Sequence, residues 1–460
     1  MSQIAQLLQE VFSEKDFYRK MLKIALPIML QNFISSFLNM IDTVMVGKLG
    51  ETEIAAVGMA NQYFFFFSMF LIGLSAGCSV FIAQFWGKGD IKNIKRIMGV
   101  GLISAIVISL IFMFLGFYFP DRAIALFNND KLVIDLGSSY LKIVIVSYIF
   151  TAITFVYNYS FRSIGKTTLP MAINVVALLC NAFLNYVFIF GKFGAPAMGV
   201  EGAALATVIA RVVETILLVA AVYLTKEVLA ASMRELISIN FEFVKKSYRT
   251  IFPVILNDIC WGLASLVYAA VYGRLGTQAV AAIQICNTVN SLFMVVILGL
   301  SSAASVMVGH KIGAGEEGKA RNYAKRFSVL AVMVGFVLGI LLALTSPLIL
   351  NLFNVSSTVR RSSQIILYII SILFFARVLS IMLIVGVLRG GGDAKQAFLI
   401  EGFTMWFIGV PLTIVGAFVF KFPVHLVYAL AMLEEISKCI LGIIRLKSGR
   451  WIKNVADNMT

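Results

Sequence analysis

The sequence predicts an all-α membrane protein of twelve transmembrane helices, written as two six-helix repeats, and three observations carry that reading. Of its 460 residues, 60% are hydrophobic and 13% charged, and mean hydropathy is +0.93. A soluble domain carries about 25% charged and 45–50% apolar residues, so a chain of this composition hides its apolar surface in lipid. Apolar runs of ~20 residues are long enough to cross a bilayer, and about twelve of them follow one another with only 8 prolines in the whole chain. Finally, the pattern that opens at Pro27 opens again at Pro253.

In chain order the first six runs occupy 22–46, 55–84, 97–119, 133–157, 167–190 and 197–225. The second six occupy 249–272, 279–309, 326–350, 364–388, 396–420 and 423–444. Each is bounded by a turn or charge signal, such as GKLG at 47–50, GKGD at 87–90, RSIGK at 162–166 and RGGGD at 389–393. The expected domains are residues 1–225 as a first lobe, 226–248 as a polar, basic linker, and 249–460 as a second lobe. The stretch from Met1 to Lys20 lacks the apolar run and small-residue cleavage site of a signal peptide and reads as a short amphipathic helix on the membrane surface. Five cysteines, Cys78, Cys180, Cys260, Cys286 and Cys439, are scattered singly and give neither a disulfide framework nor a zinc pattern.

A net charge of +15 suggests nucleic acid until its distribution is read. With the N-terminus placed inside, eight of the 38 Lys and Arg residues fall in outer loops: Lys48, Arg122, Lys131, Lys192, Arg274, Arg360, Arg361 and Lys421. Four more, Lys142, Arg211, Arg377 and Lys438, lie within spans, and the remaining 26 are on the inner side. That bias is the positive-inside signature of a polytopic protein. It puts both termini in the cytoplasm and the chain in the cytoplasmic membrane, and it gives the basic residues a topological role instead of a nucleic-acid one.

Laid over one another, 27–89 and 253–315 align without a gap and with sixteen identities in sixty-three positions. Pro27 matches Pro253, the GxLG of 47–50 that of 273–276, and the glycines of GKG at 87–89 those of GAG at 313–315. After one inserted residue, FRSIG at 161–165 matches LRGGG at 388–392. Placed glycines and prolines seldom coincide through composition alone, so the chain is an internal duplication. Six spans per copy is an even number, so the repeats are parallel and related by an axis along the membrane normal.

Several words in the sequence, in the right order, resemble the multidrug and toxic compound extrusion (MATE) transporters. They are LPIMLQNFISSFLNMIDTVMVGKLG at 26–50 with AAVG at 55–58, GVEGAALATVIAR at 199–211, LGTQAVAA at 275–282 and VLRGGGDAKQA at 387–397. The resemblance covers about residues 17–446. It implies a V-shaped pair of six-helix lobes around a central cavity. It also implies export of cationic amphiphilic small molecules in exchange for H⁺ or Na⁺, with no enzymatic activity and no cofactor beyond that coupling ion. A monomer in the lipid bilayer is expected.

Ionisable groups within spans are costly, about 2.5–3.5 kcal/mol at mid-bilayer on insertion scales, and so mark candidate sites. Asp42 stands deep in the first run, and its mate in the second repeat is a tyrosine, Tyr268. The fifth run carries Asn174, Asn181 and Asn185, the last two four apart and therefore on one helix face. Amide oxygens beside a carboxylate form a hard-oxygen site suited to a small cation. Relatives of the DNA-damage-inducible type have an Asp–Asn–Asp cluster between the first and fifth helices. Asp42 and Asn181 match it, and Asn185 replaces its second acid. In the second lobe the candidates are Asp258, Arg377 and Glu401, with Asp258 and Arg377 expected to neutralise one another. Relatives of the norfloxacin-extruding type place a glutamate near Trp261 and an aspartate in the tenth helix, neither of which this chain has. Trp261, Trp406 and Asn174 are candidate substrate contacts. Asp393 is expected to cap the following helix, and Arg211 with Glu214 to form a local pair, as are Glu434 and Glu435 with Lys438.

GAGEEG at 313–318 has the spacing of a dinucleotide fingerprint but follows a membrane helix, not a strand. GKTT at 165–168 lacks the first glycine of a phosphate loop, since position 160 is serine. The alternatives are a flippase for lipid-linked saccharides, for which Arg377 is the main basic cavity candidate, and a non-transporting membrane sensor. An intramembrane enzyme would need clustered aspartates or HExxH, and neither occurs.

Overall fold

A computed structural model describes residues 14–127, 130–351, 353 and 355–459. The proposed amphipathic segment lies largely outside these residues. In chain order the first half contains α1 (Lys15–Gly47), α2 (Glu51–Lys88), α3 (Ile91–Tyr118), the short α4 (Pro120–Ala125), α5 (Lys131–Val144) and α6 (Ser147–Ser163). These are followed by α7 (Thr168–Phe190) and α8 (Gly199–Leu224). A short α9 (Met233–Ile237) leads to the second half: α10 (Phe241–Arg274), α11 (Thr277–Gly313), α12 (Glu317–Leu350) and α13 (Ser357–Ile381). The last elements are α14 (Ala394–Phe403), α15 (Val410–Ile414) and α16 (Val424–Lys447).

Ten of these helical stretches are long and apolar enough to cross a membrane singly, and α5 with α6 forms an eleventh span bent by 56°. The twelfth is α16. Its 24 residues reach about 36 Å at 1.5 Å per residue, but Glu434, Glu435 and Lys438 dilute its apolar character. Wider π turns interrupt the tenth and eleventh spans at Met382–Leu388, Thr404–Gly409 and Val415–Val419. Such turns insert an extra residue into the ladder and commonly mark functional positions.

The chain divides into two compact units. One comprises Pro27–Ile82 and Asp90–Ile255; the other comprises the described part of Met1–Leu26, Ala83–Gly89 and Leu256–Thr460. Their boundaries differ from the repeat boundary at three places, and local packing explains each. The start of α1 joins the second unit because Phe17 packs on Tyr323 and Phe327 of α12, and Glu14 pairs with Arg326 at 2.9 Å. The linker joins the first unit because α9 lies on α3. A Cβ at Gly99 would fall 2.0 Å from the Leu236 carbonyl oxygen, Lys95 pairs with Glu235 at 2.9 Å, and Arg96 stacks over Phe243. Glu235 also closes a capping box with Ser232. The Lys95 ammonium, with the Ser232 backbone, draws its carboxyl down to about 2.

The inner end of α2 joins the second unit through a crossing with the end of α11. There Gly87 lies against the backbone of His310, and Gly313 against that of Gln84. Nearby, residues 451–459 fold back onto the RGGGD turn. Trp451 is fully buried against Gly391, and the Gln84 side chain bonds both the Lys453 carbonyl at 3.1 Å and the Val455 N–H at 2.8 Å. Asp393 occupies the first position before α14 but does not cap it. Its buried carboxylate is claimed by Arg445 at 2.7 Å and Lys453 at 2.6 Å, two full charges that outcompete a backbone N–H for it.

Candidate functional site

In the first unit the three asparagines of α7 project from one face, because residues 174, 181 and 185 fall at helical spacings of seven and four. All three are buried, and each joins α7 to a neighbour. The Asn185 amide donates to Oδ1 of Asp42 on α1 at 2.8 Å and, more weakly, to Oδ1 of Asn181 at 3.5 Å. Asn181 reaches Thr207 of α8 at 3.5 Å. Asn174 donates to Glu214 of α8 at 3.0 Å and accepts from Ser35 of α1 at 3.4 Å. Glu214, 2% exposed, receives Arg211 at 2.7 Å on its other oxygen. The expected local Arg211–Glu214 pair is therefore present, but it also belongs to a polar seam running from α1 through α7 to α8.

That seam forms one wall of a cavity of ≈ 400 Å³ whose polar lining includes Asp42, Asn181, Asn185, Thr207, Arg211 and Glu214. The Tyr140 hydroxyl also lines it and shares a hydrogen bond with Thr207. Phe64, Tyr148, Val144 and Leu178 supply apolar wall, so the space suits a ligand with both a charged and a greasy part. Three of its lining side chains are ionisable, the acids Asp42 and Glu214 and the base Arg211. With both acids ionised the cavity lacks one positive charge, and an uncompensated charge away from water is costly. Asn185 is 2% exposed and its Oδ1 has no partner among the described residues. That carbonyl oxygen, with the Asp42 carboxylate and the Asn181 carbonyl, is a hard-oxygen set for a proton, an alkali ion or an organic ammonium. Among the described residues, no three His, Cys, Asp or Glu side chains gather as they would around a resident metal.

In the second unit the three candidate residues do not meet. Asp258 pairs with Arg389 at 2.7 Å, not with Arg377 as expected. Arg377 lies twelve residues before Arg389, about 18 Å away along a helix, and instead meets Tyr428 of α16. The Asp258–Arg389 tether has a counterpart in the first unit, where Arg162 donates to Gln31 at 3.1 Å. Arg162 and Arg389 occupy the same place in FRSIG and LRGGG, so the contact is a repeated feature of the architecture. Glu401 accepts from Asn257 at 2.7 Å. Trp261 is 43% exposed, while Trp406 packs with Tyr268 around Ala264, Met405 and Val410. Neither tryptophan lines the first unit's cavity.

Sequence reasoning missed the part played by Arg211, Glu214, Thr207 and Tyr140 in the cavity; it expected Glu434 and Glu435 to gather with Lys438, as they do, but missed that Tyr268 joins them and that the cluster is buried. One signal for that cluster was present. Tyr268 is the repeat mate of Asp42, and Lys438 is the mate of Arg211 once the inserted residue is allowed for, in the register that also relates Asn174 to Glu401.

Comparison with known proteins agrees with this architecture. A probable multidrug resistance protein NorM of Thermotoga maritima is 26% identical over 437 residues, which cover 95% of this chain and 93% of the relative. A protein of the same description from Bradyrhizobium diazoefficiens is 29% identical over 420 residues, covering 88% and 87%. The crystal structure of a MATE in the straight conformation superposes with a TM-score of 0.85 over 96% of this chain and 98% of that one, at 18% identity. A MOP superfamily transporter from Pyrococcus furiosus gives a TM-score of 0.83 over 96% of both chains, at 20% identity. These two structures share its fold. The family pattern described as MatE matches twice, at residues 27–187 and 253–415, once in each repeat. With most of its length accounted for by two copies of that pattern, the chain belongs to the MatE family.

Proposed function

We propose that this protein is a secondary active exporter of cationic amphiphilic compounds, driven by inward movement of H⁺ or Na⁺ through the Asp42 site. The names of the relatives, probable multidrug resistance proteins, support the substrate class. The observation that carries the reading is the cavity in the first unit: Asp42, held by Asn185 at 2.8 Å, lies in a partly apolar space that lacks one positive charge when both its acids are ionised. A cationic substrate and a coupling cation satisfy the same deficit, so they compete for it. When H⁺ or Na⁺ neutralises Asp42, the electrostatic hold on a bound organic cation is lost and the substrate is free to leave. The charge bias of the loops supports placement in the cytoplasmic membrane with both termini inside.

The test is ethidium transport by the full chain in proteoliposomes, with a pH or Na⁺ gradient imposed and no ATP. Transport should collapse when that gradient is dissipated, and Asp42→Asn should reduce gradient-driven transport at least tenfold. Transport by Asp42→Asn at the wild-type rate, with the same ion dependence, would overturn the assignment.

A further inference from the structure

The second unit contains a buried acid cluster on a different helix from the site above. Glu434, Glu435 and Lys438 of α16 are 7%, 8% and 4% exposed. The Lys438 ammonium lies 3.1 Å from Glu434 Oε1 and 3.6 Å from Glu435 Oε1. Tyr268 of α10 donates to Glu434 Oε2 at 2.6 Å, and Ser380 of α13 donates to Glu435 Oε2. Room for the Tyr268–Glu434 contact is left by Gly409, at the end of the π turn Thr404–Gly409. A Cβ on Gly409 would sit 2.2 Å from both the Tyr268 hydroxyl and Glu434 Oε2. Under the repeat Tyr268 stands where Asp42 stands, so the acid has moved from the first helix of its repeat to the last.

Two more charged groups face this set. Glu401 of α14, half-buried and bound to Asn257, acts electrostatically on Lys438. Arg377 of α13 meets Tyr428 of α16, which also senses Glu435. Tyr272 and Cys439 border the cluster as neutral groups. Asp258 and Arg389 form their own ion pair. Glu401, Glu434 and Glu435 therefore act on Lys438, and Arg377 reaches the set only through Tyr428, so that three carboxyl groups stand against two basic ones. With all of them ionised the deficit is one positive charge, as in the first unit. Lys438 sits within reach of both glutamates, and among the described residues no three His, Cys, Asp or Glu side chains gather here to hold a metal ion. Asn257 adds an independent sign: it is 2% exposed, and its Oδ1 is buried with no partner among the described residues. Its amide N–H faces a carboxylate, and its carbonyl is available to a carboxylic acid.

We propose that the second unit takes up one exchangeable proton, shared among Glu401, Glu434 and Glu435 and entering at the half-exposed Glu401, as a coupling site separate from Asp42. Its role in coupling rests on the reading of the protein as an ion-driven exporter; its existence does not. The experiment is infrared difference spectroscopy of the purified full chain in lipid between about pH 5 and pH 9, reading the protonated-carboxyl band. Asp42→Asn should retain a titrating carboxyl. Adding Glu434→Gln or Glu401→Gln to it should abolish that band, because either change leaves two carboxylates against two cations. If Glu434→Gln does not fold, the half-exposed Glu401 provides the second variant. A band that is absent in Asp42→Asn, or that is untouched by Glu401→Gln, Glu434→Gln and Glu435→Gln alike, overturns the proposal. Ion-independent transport by the wild type combined with a persistent band would refute the exporter reading and leave the proton site standing.

Discussion

Asn185 serves Asp42 in two ways. Its N–H holds the carboxylate at 2.8 Å, and its buried Oδ1 waits without a partner among the described residues. A leucine of similar shape removes both the donor and the acceptor. A hydrogen bond to a charged group contributes about 1.5–3 kcal/mol, so the loss should be visible in transport, and its sign depends on the coupling ion. If Na⁺ is the driver, Asn185→Leu removes a ligand oxygen and raises the Na⁺ concentration for half-maximal ethidium transport roughly tenfold to hundredfold. If H⁺ is the driver, the ionised carboxylate loses its donor, and the half-maximal point moves to alkaline pH by about one to two units. Titrating transport against each ion in proteoliposomes distinguishes these outcomes. No shift in either profile would remove Asp42 from the coupling path.

At the scale of elements, the crossing of α2 with α11 explains why GKG at 87–89 recurs as GAG at 313–315. A Cβ at Gly87 would fall 2.1 Å from the His310 carbonyl oxygen, and one at Gly313 would fall 1.8 Å from the Gln84 carbonyl oxygen. His310 and Gln84 are themselves repeat mates, so each helix places its glycine under the other's backbone at equivalent positions. Gly315, two residues on, is needed for a different reason: its φ is +75° and nothing crowds it. Gly313→Ala must push two helices apart, a kind of overpacking that costs about 1–3 kcal/mol. Gly313→Leu should leave little folded protein. Gly315→Ala carries only the left-handed backbone penalty of about 1–2 kcal/mol. Thermal melts of the purified variants should therefore rank Gly313→Leu below Gly313→Ala, and Gly313→Ala at or below Gly315→Ala. A Gly313→Leu protein as stable as wild type would mean that the helix ends do not meet.

For the molecule as a whole, span number and duplication were legible because both follow from apolar length and from glycines and prolines whose places the backbone dictates. Asp42 and the α7 asparagines were legible through helical spacing. Arg211 and Glu214 were not read as cavity residues, since an i, i+3 pair looks local until α1 and α7 are packed against it. The Asp258–Arg389 pair was misassigned because apolar runs give little measure of depth along a helix. The Tyr268–Glu434 contact joins residues 166 apart in sequence, and that Gly409 makes room for it shows only once the helices are packed. On the reading proposed above, each unit holds one buried cluster with one more acid than base, and this bears on the energetics of transport. If only Asp42 loads, one univalent cation exchanges for one univalent substrate, and membrane potential does no work. If both units load, one net positive charge enters per turnover, and 100 mV adds about 2.3 kcal/mol to export. At ~1.4 kcal/mol per factor of ten, that deepens the limiting ethidium gradient about fiftyfold. Proteoliposomes carrying a valinomycin-clamped K⁺ potential at fixed pH and Na⁺ provide the measurement. The expected result is a potential-driven ethidium gradient in wild type that vanishes in Glu401→Gln. A gradient indifferent to potential in both would mean that a single cation drives each cycle.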